Sequence, residues 1–142
     1  MRKNCKMRIF AKNEYGYQDA FKIVSIVREE VNDSKLGKNG FEVGEQDLKG
    51  AMKLRKAGQN SFLKFIHVAC QIEADQLWWL NVSEYNVVKI FTKDYSKGYF
   101  QTDYSELCKI YEENKYEQGE WQTFCDWIER LPYSELITGE GI

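Results

Sequence analysis

The sequence predicts an α/β protein of the α+β kind: a small mixed sheet packed by helices, with a helical hairpin at its C-terminal end. Three features predict it. Short segments rich in Ile, Val and Phe, around residues 6–12, 62–72 and 87–91, have the composition of strands. Between them run stretches whose apolar residues recur at helical spacing. The last third is helical on both sides of one glycine, Gly119. A chain of 142 residues fits a single domain, 1–142, and a domain of that size buries roughly 70% of its unfolded surface.

Taken in order, Met7, Ile9 and Phe10 among basic residues suit an opening strand over 6–12, ending at a turn near Tyr15 and Gly16. Tyr17, Ala20, Phe21, Val24 and Val31 then share a helix face, widened by Ile23, Ile26 and Val27. Residues 32–40 carry Asn, Asp, Ser and two glycines and read as a loop, with 41–43 briefly extended. A helix over 45–57 is acidic in its first turn, basic in its last and stopped by Gly58, as the backbone dipole favours. Its Lys49, Lys53, Lys56 and nearby Arg55 form either a solvated stripe or a surface that faces phosphate. Residues 62–72 read as a strand buried on both faces, with His67 inside it as a hydrogen-bonded core residue or, alternatively, a general base.

A short helix over 76–80 holds Trp78 and Trp79. Adjacent side chains on a helix do not face the same way, so either one indole seals the core while the other lines a pocket or interface, or both belong to an aromatic wall. Residues 87–91 read as a further strand. Asp103 and Glu106 offer a capping-box-like start to a helix whose Tyr104, Leu107, Cys108 and Tyr111 share a face. After Gly119, Trp121, Phe124, Cys125 and Ile128 do the same until Pro132. Two helices with a short link make an αα-hairpin.

Composition narrows the function classes. With 43% hydrophobic and 15% aromatic residues the chain is not of the disordered type, and no apolar run approaches the roughly 20 residues that span a bilayer. The basic first residues lead into no apolar signal core; a cytoplasmic protein without membrane contact is expected. Cys5, Cys70, Cys108 and Cys125 stand apart with no histidine beside them, so they read as reduced, mostly buried thiols and not as metal ligands. The charge is asymmetric: residues 1–64 carry 14 Lys and Arg against 8 Asp and Glu, and residues 65–142 carry 6 against 14. An anionic ligand would be met by the first half, or the halves attract each other or another subunit. Acids interrupt the basic residues and no nucleic-acid-binding motif is present, so nucleic acid is not an expected partner.

Three stretches carry a resemblance. They are Asp47-Leu48 through Lys56-Ala57-Gly58; Phe62-Leu63-Lys64-Phe65-Ile66-His67-Val68 leading to Ile72-Glu73-Ala74 and Trp78-Trp79; and Glu120-Trp121-Gln122-Thr123-Phe124-Cys125-Asp126-Trp127-Ile128 with Leu131-Pro132-Tyr133-Ser134-Glu135-Leu136-Ile137. In this order they resemble phage and gut-bacterial proteins related to flavin-dependent thymidylate synthase. The resemblance implies a nucleotide-sized cleft in an α/β fold, where the enzymes hold a uracil nucleotide against FAD in a homotetramer. In the phage group it implies a Glu and a Lys around a Tyr after the Trp pair, then a Ser and a His, then a helical Arg and His. This sequence keeps the Tyr as Tyr85 but has Asn81 and Asn86 at the Glu and Lys positions. The later positions fall near Lys93 and Gly98, and the helical ones near Asn114 and Glu117.

Reductive methylation on a flavin needs preorganised donors around the ring and neutralised cofactor phosphates. Exchanging Arg, His and Lys for Asn, Gly and Glu removes those donors. The expectation is therefore a non-catalytic binder of a nucleotide or nucleotide-like small molecule, without a cofactor, homo-oligomeric, and in a phage suited to sequestering a nucleotide signal of host defence in the host cytoplasm. Trp78, Trp79 and Tyr85 are the expected stacking or shape residues, and Lys53, Arg55 and Lys64 the phosphate contacts. The alternatives are a flavin-dependent enzyme carrying FAD and a module that binds a host protein.

Overall fold

The computed structural model describes residues 7–29, 32–38 and 40–140; Cys5, Lys6 and Val31, named above, lie outside them. The chain runs β1 (Arg8–Tyr15), α1 (Tyr17–Arg28), β2 (Lys35–Gly37), β3 (Gly40–Glu42), α2 (Glu45–Lys56), a 3₁₀ turn (Ser61–Phe65), β4 (His67–Glu73), α3 (Gln76–Val82), β5 (Val88–Phe91), β6 (Lys97–Asp103), α4 (Tyr104–Asn114), α5 (Glu120–Glu129) and α6 (Glu135–Thr138). The α+β class and the C-terminal helix pair are as expected. The sheet is antiparallel throughout, in the order β1-β4-β6-β5, with β2 and β3 forming a separate hairpin.

Alternation along the two central strands sets the layers. Val68, Cys70 and Ile72 of β4 and Phe100 and Thr102 of β6 are buried, and Cys70 pairs with Phe100. Helices pack on this face: Phe100 meets Trp78 of α3 at 6.3 Å and Phe124 of α5 at 5.6 Å between ring centroids. Each such side chain removed from water contributes roughly 1.5–3 kcal/mol. β4 is thus fully buried on one face only, contrary to the expected doubly buried strand: on the opposite face Ala69 is buried, but Gln71 is exposed and His67 half-buried.

Other segments also differ from expectation. Residues 62–65, read as strand, form the 3₁₀ turn instead: Phe62 and Leu63 are both buried and Lys64 and Phe65 both exposed, which breaks the alternation of a strand. Gly16 fixes its place, since at φ 98° it lies so close to the Phe65 carbonyl that any Cβ would collide with it. Residues 97–103, for which no element was expected, form β6, one of the two inner strands, and residues 35–37, read as loop, pair with 40–42.

Helix ends are satisfied partly from a distance. α2 has no cap from Gly44; Asp33 on the preceding loop accepts from the amides of Gln46 and Asp47 at 2.9 and 3.0 Å. Buried Asp47 in turn accepts from the Ser34 hydroxyl. Asp103 caps α4 through the Glu106 amide at 2.8 Å as predicted, but the Glu106 carboxylate bonds the Asn86 amide instead of reaching back. Tyr17 and Tyr104 share a hydrogen bond of 2.9 Å, and Tyr104 donates to the Pro132 carbonyl at 2.6 Å, joining α1 and α4 to the segment before α6. No helix among the described residues is long and apolar enough to cross a membrane.

Candidate functional site

Of the six residues expected to form a site, Trp78 and Trp79 pack together and Tyr85 reaches them through Trp121, whereas Lys53 and Lys64 are exposed and Arg55 is bonded to α6. Trp78 and Trp79, at adjacent positions on α3, are both buried, at 2% and 0% exposure. Trp78 packs on Trp121 and Phe124 of α5, and Trp79 on Phe91 of β5. They form an aromatic wall, but the wall is internal, and in this conformation neither ring offers a face to a ligand. Their indole N–H groups, with that of Trp127, find no hydrogen-bond acceptor. The two rings of the pair meet edge to face at 5.1 Å, which turns ring edges toward π-faces.

Tyr85 is tied to α4 by its own partners. Its hydroxyl donates to Glu113 at 2.7 Å and accepts from the Asn114 amide at 2.9 Å. Burial, then the Glu113 bond, pushes its pKa up to about 12. Tyr85 and Asn114, two positions singled out by the resemblance, therefore do meet, and the Asn114 amide also donates to the Ile110 carbonyl at 2.8 Å. At that position a neutral amide ties the tyrosine to α4.

Among the basic candidates, Lys53 and Lys64 are exposed on α2 and on the 3₁₀ turn. Lys49 pairs with Glu45 one turn away at 3.1 Å, so this stripe behaves as a solvated face. Arg55 turns inward: its Nε and Nη2 donate to the Leu136 and Ile137 carbonyls at 3.0 and 3.2 Å, holding α6. It is a structural tie.

The concentration of unsatisfied apolar and aromatic surface lies on the other side of the sheet. Strand register places Phe10, Gln71, Tyr99 and Ile90 in one row across β1, β4, β6 and β5. Tyr99 is 45% and Ile90 71% exposed. These four line a hollow of about 320 Å³, which Thr92, Lys97 and Gly98 also line. In the row beyond, Arg8 pairs with Glu73 at 3.1 Å and stands over the Phe10 ring at 5.3 Å. Toward the other end, His67 stacks on Tyr15 at 5.1 Å and 17°, and Gln101 donates its amide to the Tyr15 hydroxyl at 2.7 Å. His67 is therefore a half-buried residue of the open face and not the core residue expected. Sequence reasoning missed this surface because β6 was not recognised; the signal available was the alternation of Tyr99 and Gln101 with Phe100 and Thr102.

Nucleophilic chemistry finds little support in the thiols. Cys70, Cys108 and Cys125 are free, and burial raises the pKa of all three, for Cys70 and Cys125 to about 12, so they stay protonated near neutrality. Among the described residues no group of three or more His, Cys, Asp or Glu is placed to hold a metal ion. Comparison with protein-family models, with curated proteins and with solved structures gives no match for this chain.

Proposed function

We propose that this chain is a non-catalytic binding protein for a nucleotide or nucleotide-like small molecule, held with its base flat against the open face of the sheet. One observation carries the reading: a single cross-strand row places two aromatic rings, Phe10 and Tyr99, on either side of the Gln71 amide in a hollow of about 320 Å³. That lies at the small end of ligand sites, where apolar walls with a few polar groups are usual. Tyr99 supplies an exposed π-face, Gln71 a donor and an acceptor for a base edge, and Lys97 a cation for a phosphate. The neutral side chains at positions 81, 86 and 114 and the protonated thiols support a binding role over a catalytic one. In a phage, such a protein would sequester a nucleotide signal.

Exposed Val88 and Ile90 favour one other reading, in which this face docks a protein. Isothermal titration with nucleoside 5′-monophosphates separates the two. Saturable binding is expected for at least one of them, weakened roughly 5- to 100-fold by Tyr99→Ala, as the loss of one stacked base implies, and unchanged by Lys53→Ala. No heat with any nucleotide overturns the proposal, and flavin bound to the purified protein overturns its non-catalytic part.

A further inference from the structure

We infer that the open face binds a ligand with two bases, and that Tyr15, His67 and Gln101 form the second platform. This rests on the base-binding reading above. Tyr15 and His67 are register partners on β1 and β4, with nearly parallel rings. The Gln101 bond pins the Tyr15 hydroxyl from β6, so the two side chains meet over β4. Tyr15 is nevertheless 44% exposed, which leaves ring surface available for stacking.

Gln71 and His67 are four residues apart on β4, placing the two ring platforms about 13 Å from each other at roughly 3.3 Å per residue. The row between them pairs Ala69 with Gln101, and Ala69 is buried, so a linker from one platform to the other passes over the bridge that Gln101 makes to Tyr15. Two bases splayed apart on one phosphodiester reach this span, and splayed bases stacked on separate aromatic side chains are a recurrent mode of recognition. Charge sets the direction. Arg8 and Lys97 flank Glu73 at the Tyr99 end, two cations against one acid that Arg8 pairs, whereas Asp103 lies opposite His67 at the Tyr15 end. A terminal phosphate belongs beside Lys97, and an unphosphorylated ribose beside Asp103. The ligand class is a 5′-phosphorylated dinucleotide.

The test compares adenosine 5′-monophosphate with 5′-phosphorylated diadenylate by titration calorimetry. Wild-type protein is expected to bind the dinucleotide about tenfold or more tightly than the mononucleotide. Tyr15→Ala should abolish that advantage and leave mononucleotide affinity unchanged, Tyr15→Phe should retain it, and Tyr99→Ala should weaken both ligands. Thermal melts of each variant establish that it is folded. Equal affinity for the two ligands, or a Tyr15→Ala effect on both alike, overturns the second platform while the single-base reading stands. Failure of both ligands to bind overturns both.

Discussion

Arg55 donates two hydrogen bonds to the carbonyls of Leu136 and Ile137, so its substitution is a matter of stability and not of ligand affinity. Arg55→Ala is expected to cost about 1.5–3 kcal/mol in urea unfolding, the range for bonds from a charged donor, with nucleotide affinity unchanged; an affinity loss at constant stability would restore it to a phosphate-binding role. Ionisable groups give a second prediction. Burial raises Cys70 and Cys125 from the ordinary 9, and Tyr17 from 10, to about 12. Above pH 9 the unfolded chain therefore sheds protons that the folded chain keeps, and stability falls as pH rises from about 9 to 12. Melting temperatures recorded under reducing conditions should decline across this window; a flat profile would mean that these groups are not desolvated. At this scale the sequence was informative about type but not direction. Tryptophans at adjacent helical positions left open a split between core and pocket or a shared aromatic wall, and the choice depends on Phe91, Phe100, Trp121 and Phe124, which local periodicity does not connect to them.

Within elements, the most informative contrast lies between neighbours on β6. Phe100 is fully buried against Trp78 and Phe124, while Tyr99 faces out. Phe100→Ala should cost about 3–5 kcal/mol through lost burial and a residual cavity, and Tyr99→Ala no more than about 0.5 kcal/mol, as for a surface position. Similar losses at both would contradict the strand. The reasons β6 escaped sequence reading are visible in its composition: Lys97, Gly98, Gln101 and Asp103 dilute the pattern, and only Phe100 and Thr102 are buried within it. The error over residues 62–65 is the converse. Apolar composition there suggested a strand, but short apolar runs do not reveal their period. α1, α2, α4 and α5 were legible because each keeps an apolar stripe for ten residues or more and has a glycine or a capping side chain at its start.

At the level of the whole molecule, the fold is asymmetric: helices fill one face of a four-stranded sheet and leave the other face with Tyr15, Val88, Ile90 and Tyr99 exposed. That face was not legible, because it is assembled from strands far apart in the sequence, and register alone brings Phe10 into one row with Tyr99. The charge asymmetry between the two halves of the chain did not mark it either, since cations and acids both occur at its ends. Amide chemical-shift mapping during titration with adenosine 5′-monophosphate tests the central claim most directly. The account predicts that shifts concentrate on residues 10, 71, 90 and 97–101; shifts centred on α3 and α5 around the buried tryptophans, or none at saturating nucleotide, would contradict it.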